Sequence, residues 1–174
     1  MRMRILGIDP GLQHTGWGII DYVGNTPKHL ANGTISTSAK QPMAARLAKI
    51  LRELEQVIGL WSPVEAAIEE TFVNVNPASA LKLGQARGVA MSVPALLGLS
   101  VAEYAPNVIK KSVVGAGHAG KDQVQMMIGV LMPGVDLSSA DAADALAIAI
   151  CHAHHRDVPV IKETVKGYTA CLPS

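Results

Sequence analysis

The chain reads as an α/β protein, a mixed five-stranded sheet flanked by helices. Three observations predict it. Three short apolar runs near the N-terminus, separated by turn signals, read as hairpin-paired strands. After them, helical and strand periods alternate. Near the C-terminus, Ser138–Cys151 (SSADAADALAIAIC) is apolar on every side when read as a helix, and such a helix is buried.

Arg4–Asp9 (RILGID) has the pattern of a buried strand ending at an acid, and Pro10-Gly11 then forces a turn. Thr15–Tyr22 reads as a second strand paired with the first, and His29–Thr37 as a third, weakened by Gly33. From Pro42 to Ile58 the residues Leu47, Ile50, Leu51, Leu54, Val57 and Ile58 recur at helical spacing. Val64–Glu70 is a strand that again ends in acid, followed by an Asn/Pro loop. A helix over Ala78–Met91 holds Gly84 and Gly88 one turn apart, a costly choice that close approach of another backbone would explain, and Pro94 is expected to kink or end it. Ser100–Tyr104 is a short strand, Lys110–Gly120 a glycine-rich basic loop and Lys121–Met132 a helix stopped by Pro133-Gly134. Residues 1–156 form the expected folded domain, and 157–174 a tail expected to be extended or partly disordered.

A length of 174 residues with 49% hydrophobic and 17% charged residues fits one globular domain with a real core. The net charge is +1, unevenly spread. Residues 72–132 carry five basic side chains (Lys82, Arg87, Lys110, Lys111, Lys121) against two acidic, a positive field beside an acidic helix that suits an anionic substrate. Two cysteines without ligand spacing read as free thiols in a reducing compartment. The N-terminus lacks a signal-peptide pattern, and the longest uncharged run, Gly88–Ala102, is too short and proline-broken to span a membrane. The expected location is the cytoplasm.

The chemistry lies in the acids. Asp141 and Asp144 are three apart on the buried helix and share one face. Ser138 followed by Asp141 fits a capping box, which accounts for Asp141 but less well for Asp144. Two like charges there need compensation, and cations supply it. In an α/β sheet the functional crevice lies beyond the strands' carboxyl ends, where Asp9 and Glu69 fall. If strands one and four are neighbours, these acids converge with Asp141 and Asp144. Four carboxylates cannot all ionise together unless cations bind. Oxygen ligands select hard ions, Mg²⁺ with Mn²⁺ as substitute, and two such ions suit in-line phosphoryl displacement. His152, His154 and His155 follow the last helix, where cations suit the dipole, and need no metal role.

The pieces ILGIDPGLQHTGWG, AIEETF, NPASALKLGQARGVAM, YAPNVIKKSVVG, GKDQVQMMI and ADAADALAIAICH stand collinear over roughly residues 4–155. In this ordered set the chain resembles RuvC-type Holliday-junction resolvases, which have the ribonuclease H-like (integrase-type) fold. The resemblance implies a homodimer that cuts two opposed strands of a four-way DNA junction, working beside the branch-migration helicase complex RuvA-RuvB. It implies a metal site of Asp9, Glu69, Asp141 and Asp144 holding two Mg²⁺. Family lysines near the scissile phosphate match Lys110 and Lys121, the latter counted with the catalytic group. A base-engaging aromatic matches Phe72. Lys82, Arg87 and Lys111 join Lys110, Lys121 and Phe72 as expected DNA contacts. Trp17 stands where a tyrosine is common, and the loop around His118 varies in the family. Three other readings compete. Asp9-Pro10-Gly11 fits the phosphate turn of actin-like ATPases, but those need two such domains. A YqgF-type RNA nuclease fits the last helix less well. A junction-binding protein without catalysis gains nothing from a buried acid cluster.

Overall fold

The computed structural model describes residues 2–70, 76–118 and 120–156. Five strands form one sheet: β1 (Arg2–Asp9), β2 (His14–Val23), β3 (Thr26–Ser36), β4 (Glu65–Glu69) and β5 (Ser100–Tyr104). Their spatial order is β3-β2-β1-β4-β5, with β1–β2 and β2–β3 antiparallel and β1–β4 and β4–β5 parallel. The helices are α1 (Met43–Trp61), α2 (Pro77–Leu96), α3 (Pro106–Val114), α4 (Lys121–Leu131) and α5 (Ala140–His155).

The period of two along the strands divides the core. Leu6, Ile8, Ile19, Ala66 and Ile68 face α1 and α2 together with Ile50, Leu54, Ala86 and Ala90. Ile5, Ile20 and Ala67 face the other way, into a core shared with α3, α4 and α5. Eleven residues of α5, from Ala142 to Ala153, are buried. That agrees with the apolar pattern and sets α5 as the helix packed across β1, β2 and β4.

Glycines make this packing close. A Cβ on Gly7 would stand 2.0 Å from the carbonyl oxygen of Ala145, and one on Gly16 2.0 Å from that of Asp141. The α5 backbone therefore rests directly on β1 and β2. Gly84 and Gly88 of α2, by contrast, face open space: among the described residues no other backbone approaches them.

Several boundaries differ from the sequence reading, among them α1, which runs on to Trp61, and four that have a clear physical reason. β3 begins at Thr26 rather than His29, because it pairs with β2 back to the Gly24-Asn25 turn. α2 continues through Pro94 to Leu96, since Pro94 and Val93 are buried in the core and proline in a last turn loses little. The stretch expected as a basic loop is helical to Val114: Pro106 opens α3, Ile109 and Val113 bury one turn apart, and Gly115 closes it at φ 82°. α5 is capped by Ser139, not Ser138, through its hydroxyl accepting the Ala142 amide at 3.0 Å. Among the described residues no helix is long and apolar enough to cross a membrane. The tail 157–174 lies outside the described residues, as does Phe72.

Candidate active site

Register brings the first two acids together. β1 pairs in parallel with β4 up to Ile8 with Ile68, so Asp9 and Glu69, the next residue on each, end their strands side by side. Both lie on the face that carries α5, as Ile5 and Gly7 do. α5 starts above the same edge, and its first turns supply Asp141, whose backbone rests on Gly16, and Asp144.

The start of α5 is held from β3. The Asn32 amide donates to the Asp136 carbonyl at 2.7 Å, and its oxygen accepts from the Ser138 amide and hydroxyl at 3.0 and 2.7 Å. Thr34 and Ser139 share a hydroxyl–hydroxyl bond of 2.5 Å. Nothing in the sequence near Asn32 signalled this role, because its partners lie over a hundred residues away.

Asp9, Glu69, Asp144, Lys110 and Lys121 line a cleft of about 220 Å³ with Pro106, Ile109, Val124 and Ala147. Two wider grooves, about 640 and 750 Å³, lie elsewhere, the first holding Trp17 and Trp61, the second Lys111, His118, His154 and His155. Neither gathers two acids, so chemistry rather than size selects the small cleft.

The electrostatics are those of negative charge in excess. Burial pushes the Asp9 carboxyl up to about 8, and Glu69, Asp144 and Asp141 add to the rise while Lys121 opposes it. Burial and Asp144 raise Glu69, against the pull of Lys110 and Lys121. Lys121, the first residue of α4, donates to Asp144 Oδ2 at 3.3 Å, and that carboxylate holds its ammonium above the ordinary lysine range. Hard oxygen donors gathered around the raised carboxyls of Asp9 and Glu69 are the donor set a divalent cation would neutralise. Among the described residues, no three Asp, Glu, His or Cys side chains stand close enough together to enclose an ion. The acids form an open set, with two cations' worth of formal charge.

The remaining expected residues separate. Lys82 is exposed on α2, and Lys111 is exposed on α3 away from the cleft. Arg87 turns inward: its Nε donates to the Glu69 carbonyl at 3.1 Å and its guanidinium pairs with Glu103. The sequence reading set it among the DNA contacts; here it also has two partners within the chain, the Glu69 carbonyl and the partly exposed Glu103, which β4 and β5 bring in and the basic pattern alone could not reveal. Glu103 shares the α2 face with Ile68, its register partner, and so stays out of the cleft.

His152 also differs from expectation. It is buried, its Nδ1 2.9 Å from the Tyr104 hydroxyl and its Nε2 2.8 Å from Glu65, and burial pulls its pKa below the ordinary histidine value despite Glu65. It is a core hydrogen-bonding residue tying α5 to β4 and β5, rather than a cation at a helix end.

A sheet in this order, with acids ending β1 and β4 and a buried helix adding two more beside lysines, defines a nuclease of the ribonuclease H-like class. The model of the family described as crossover junction endodeoxyribonuclease RuvC matches residues 5–152. The chain belongs to the RuvC family. It is 60% identical over 154 residues to the Rhodospirillum rubrum member, covering 88% of this chain and 91% of that one. A Rhizobium leguminosarum member is 52% identical over 165 residues, covering 95% and 98%. Among solved structures, Thermus thermophilus RuvC in complex with Holliday junction substrate is 30% identical, covers 88% of this chain and 94% of that one, and superposes with a TM-score of 0.82. The yeast mitochondrial Holliday junction resolvase Ydc2, 12% identical with a TM-score of 0.64, shares the fold. Membership implies a metal-dependent nuclease.

Proposed function

We propose that this protein resolves four-way DNA junctions by paired, symmetric nicks, hydrolysing one phosphodiester in each of two opposed strands during recombination and repair. The observation that carries the reading is one cleft where Asp9, Glu69 and Asp144 meet Lys110 and Lys121 in a chain of this family. Asp9, Glu69, Asp141 and Asp144 would hold two Mg²⁺, with Mn²⁺ as substitute. Bound there, such ions supply a water nucleophile of lowered pKa and stabilise the departing oxyanion.

The chain's own groups do the rest. Asp9, whose carboxyl is pushed up to about 8 by burial and then by the neighbouring acids, would shed its proton as it ligates. Lys121, paired with Asp144, orients that carboxylate and presents positive charge where a phosphate would enter. Lys110, on α3, offers a second phosphate contact at the same cleft. Lys82 and Lys111 extend the positive field to backbone phosphates further out, and Phe72 would stack on a base near the crossover. Junction shape, rather than sequence, gives selectivity in the first instance.

A symmetric cut requires two active sites, hence a homodimer. The open surface over Gly84 and Gly88 with the exposed Leu81 beside it suits a helix of the second copy. The partner complex RuvA-RuvB, the cytoplasmic location and the separate tail at 157–174 complete the proposal.

A labelled four-way junction and a linear duplex of the same sequence, each with Mg²⁺, test it. Paired nicks in the junction alone, absent with Asp144→Asn while junction binding persists, are expected. Equal cutting of duplex or RNA would keep the chemistry and overturn the substrate. Binding with no cutting under any divalent ion would leave only a junction-binding protein.

A further inference from the structure

We infer that Arg87 is a positioning residue that fixes the end of β4, and with it Glu69, from the face of the sheet opposite the cleft. The inference rests on Glu69 being a metal-binding carboxylate, as proposed above.

The β1–β4 ladder stops at Ile8 with Ile68, and the β4–β5 ladder at Glu69 with Tyr104. Beyond that point β4 keeps one tie to β5, the Glu70 amide donating to the Tyr104 carbonyl at 2.9 Å. Glu69 is therefore the last residue of its strand, and its carbonyl lies past the last paired residue of β1. A partly buried carbonyl left without a donor costs stability and leaves its strand end with one tie fewer. Arg87 Nε supplies that donor at 3.1 Å.

The same guanidinium pairs with Glu103 on β5, so its fork spans the last turns of two neighbouring strands. Glu103 shares the face of Ile68, which packs with Ala86 and Ala90 of α2. Arg87 thus reaches the strand end from α2, while the Glu69 carboxyl works on the α5 side. The Arg87 side chain is 20% exposed, and its carboxylate partner Glu103 is 41% exposed at the rim. Its charge is taken up by Glu103, so its effect on Glu69 passes through the backbone. The planar fork holds a carbonyl and a carboxylate in one fixed geometry, which the point-like ammonium of a flexible lysine does not impose.

The same helix carries Lys82 at its exposed N-terminal half. Movement of α2 on docking DNA or a second chain would therefore be passed directly to Glu69.

The test uses the full chain and three readouts: Mn²⁺ binding by calorimetry without DNA, junction binding in chelator, and cleavage rate against Mg²⁺ concentration. Arg87→Ala is expected to weaken Mn²⁺ binding, and raise the Mg²⁺ needed for half-maximal cleavage, by about ten- to a hundredfold. Junction affinity in chelator should stay unchanged. Arg87→Lys, which keeps the charge and loses the fork, should restore little of the metal affinity. Glu103→Gln should act in the same direction as Arg87→Ala and more weakly, and it carries the test if Arg87→Ala does not fold. Reduced junction binding, a salt slope lower by about one and full rescue by Arg87→Lys would make Arg87 a phosphate contact and overturn the inference. Unchanged metal affinity in all variants would overturn it too. If the wild type bound no Mn²⁺, the metal reading of the four acids would fall, and this inference with it.

Discussion

Asp9 concentrates the physics of the site in one side chain. Its carboxyl, pushed up to about 8 by burial and three neighbouring acids, titrates near 4 in the unfolded chain. A raised folded-state value means that its stabilising contribution is fully present below about pH 4 and lost as pH rises towards 8. In chelator, wild-type stability should therefore fall across that window, and Asp9→Asn should flatten the fall and raise the melting temperature at pH 8. Added Mg²⁺ should reverse the order, stabilising wild type at pH 8 and leaving Asp9→Asn unmoved, which thermal melts would read. A variant that melted like wild type at every pH would disprove the coupling. All four acids were legible in the sequence because each sits at a strand end or on an apolar helix where an unpaired charge is conspicuous. The pairing of Arg87 with Glu69 and Glu103, and of His152 with Tyr104 and Glu65, was not, because each joins residues on different elements.

At the scale of elements, the site depends on how closely α5 lies on the sheet. Gly7 and Gly16 remove the side chains that would hold it off, and Asn32 with Thr34 fixes where it begins. Gly7→Ala puts a methyl against the Ala145 carbonyl, a backbone atom that cannot swing aside. Overpacking of this kind costs about 1–3 kcal/mol, and the upper end is expected here, read as a lower denaturant midpoint. Asn32→Ala should behave differently. It frees the 136–138 turn without touching the core, so cleavage should fall more than global stability does. Periodicity revealed α1, α4 and α5, whose apolar stripes are long enough to register. It missed α3, where nine residues with a single buried pair, Ile109 and Val113, look like a loop until α5 is present to pack against them. Gly84 and Gly88 drew attention as the close-packing pair, yet the glycines that meet the α5 backbone, Gly7, Gly16 and Gly18, are in the strands.

Across the whole molecule, the reactive groups gather at one end of the sheet. The acids meet Lys110 and Lys121 at the carboxyl ends of β1 and β4, while Lys82 and Lys111 are exposed on helices of opposite faces, α2 and α3. Each phosphate contact releases condensed counterions, so removing one should lower the slope of log affinity against log salt by about 0.9. Lys110→Ala should show that loss in a junction-binding titration together with slower cleavage. An unaltered slope would mean that Lys110 tunes Glu69 without touching DNA. The fold itself was open to reading at this scale: three antiparallel strands followed by two parallel crossovers admit few topologies, and the order β3-β2-β1-β4-β5 is the one that places strands one and four together.

What the sequence by itself determined was the set of parts: five strands, the long helices, a buried helix bearing two acids, and two further acids closing strands. Those follow from local properties, the period of apolar residues and the cost of burying charge, which are written in neighbouring positions. Only the tertiary structure decided which parts act on one another. The β1–β4 register sets Asp9 beside Glu69, strand glycines admit α5, and Arg87 reaches the carbonyl that ends β4. Such partners lie tens to more than a hundred residues apart, and their pairing is chosen by the packing of the sheet, which no single stretch of chain contains.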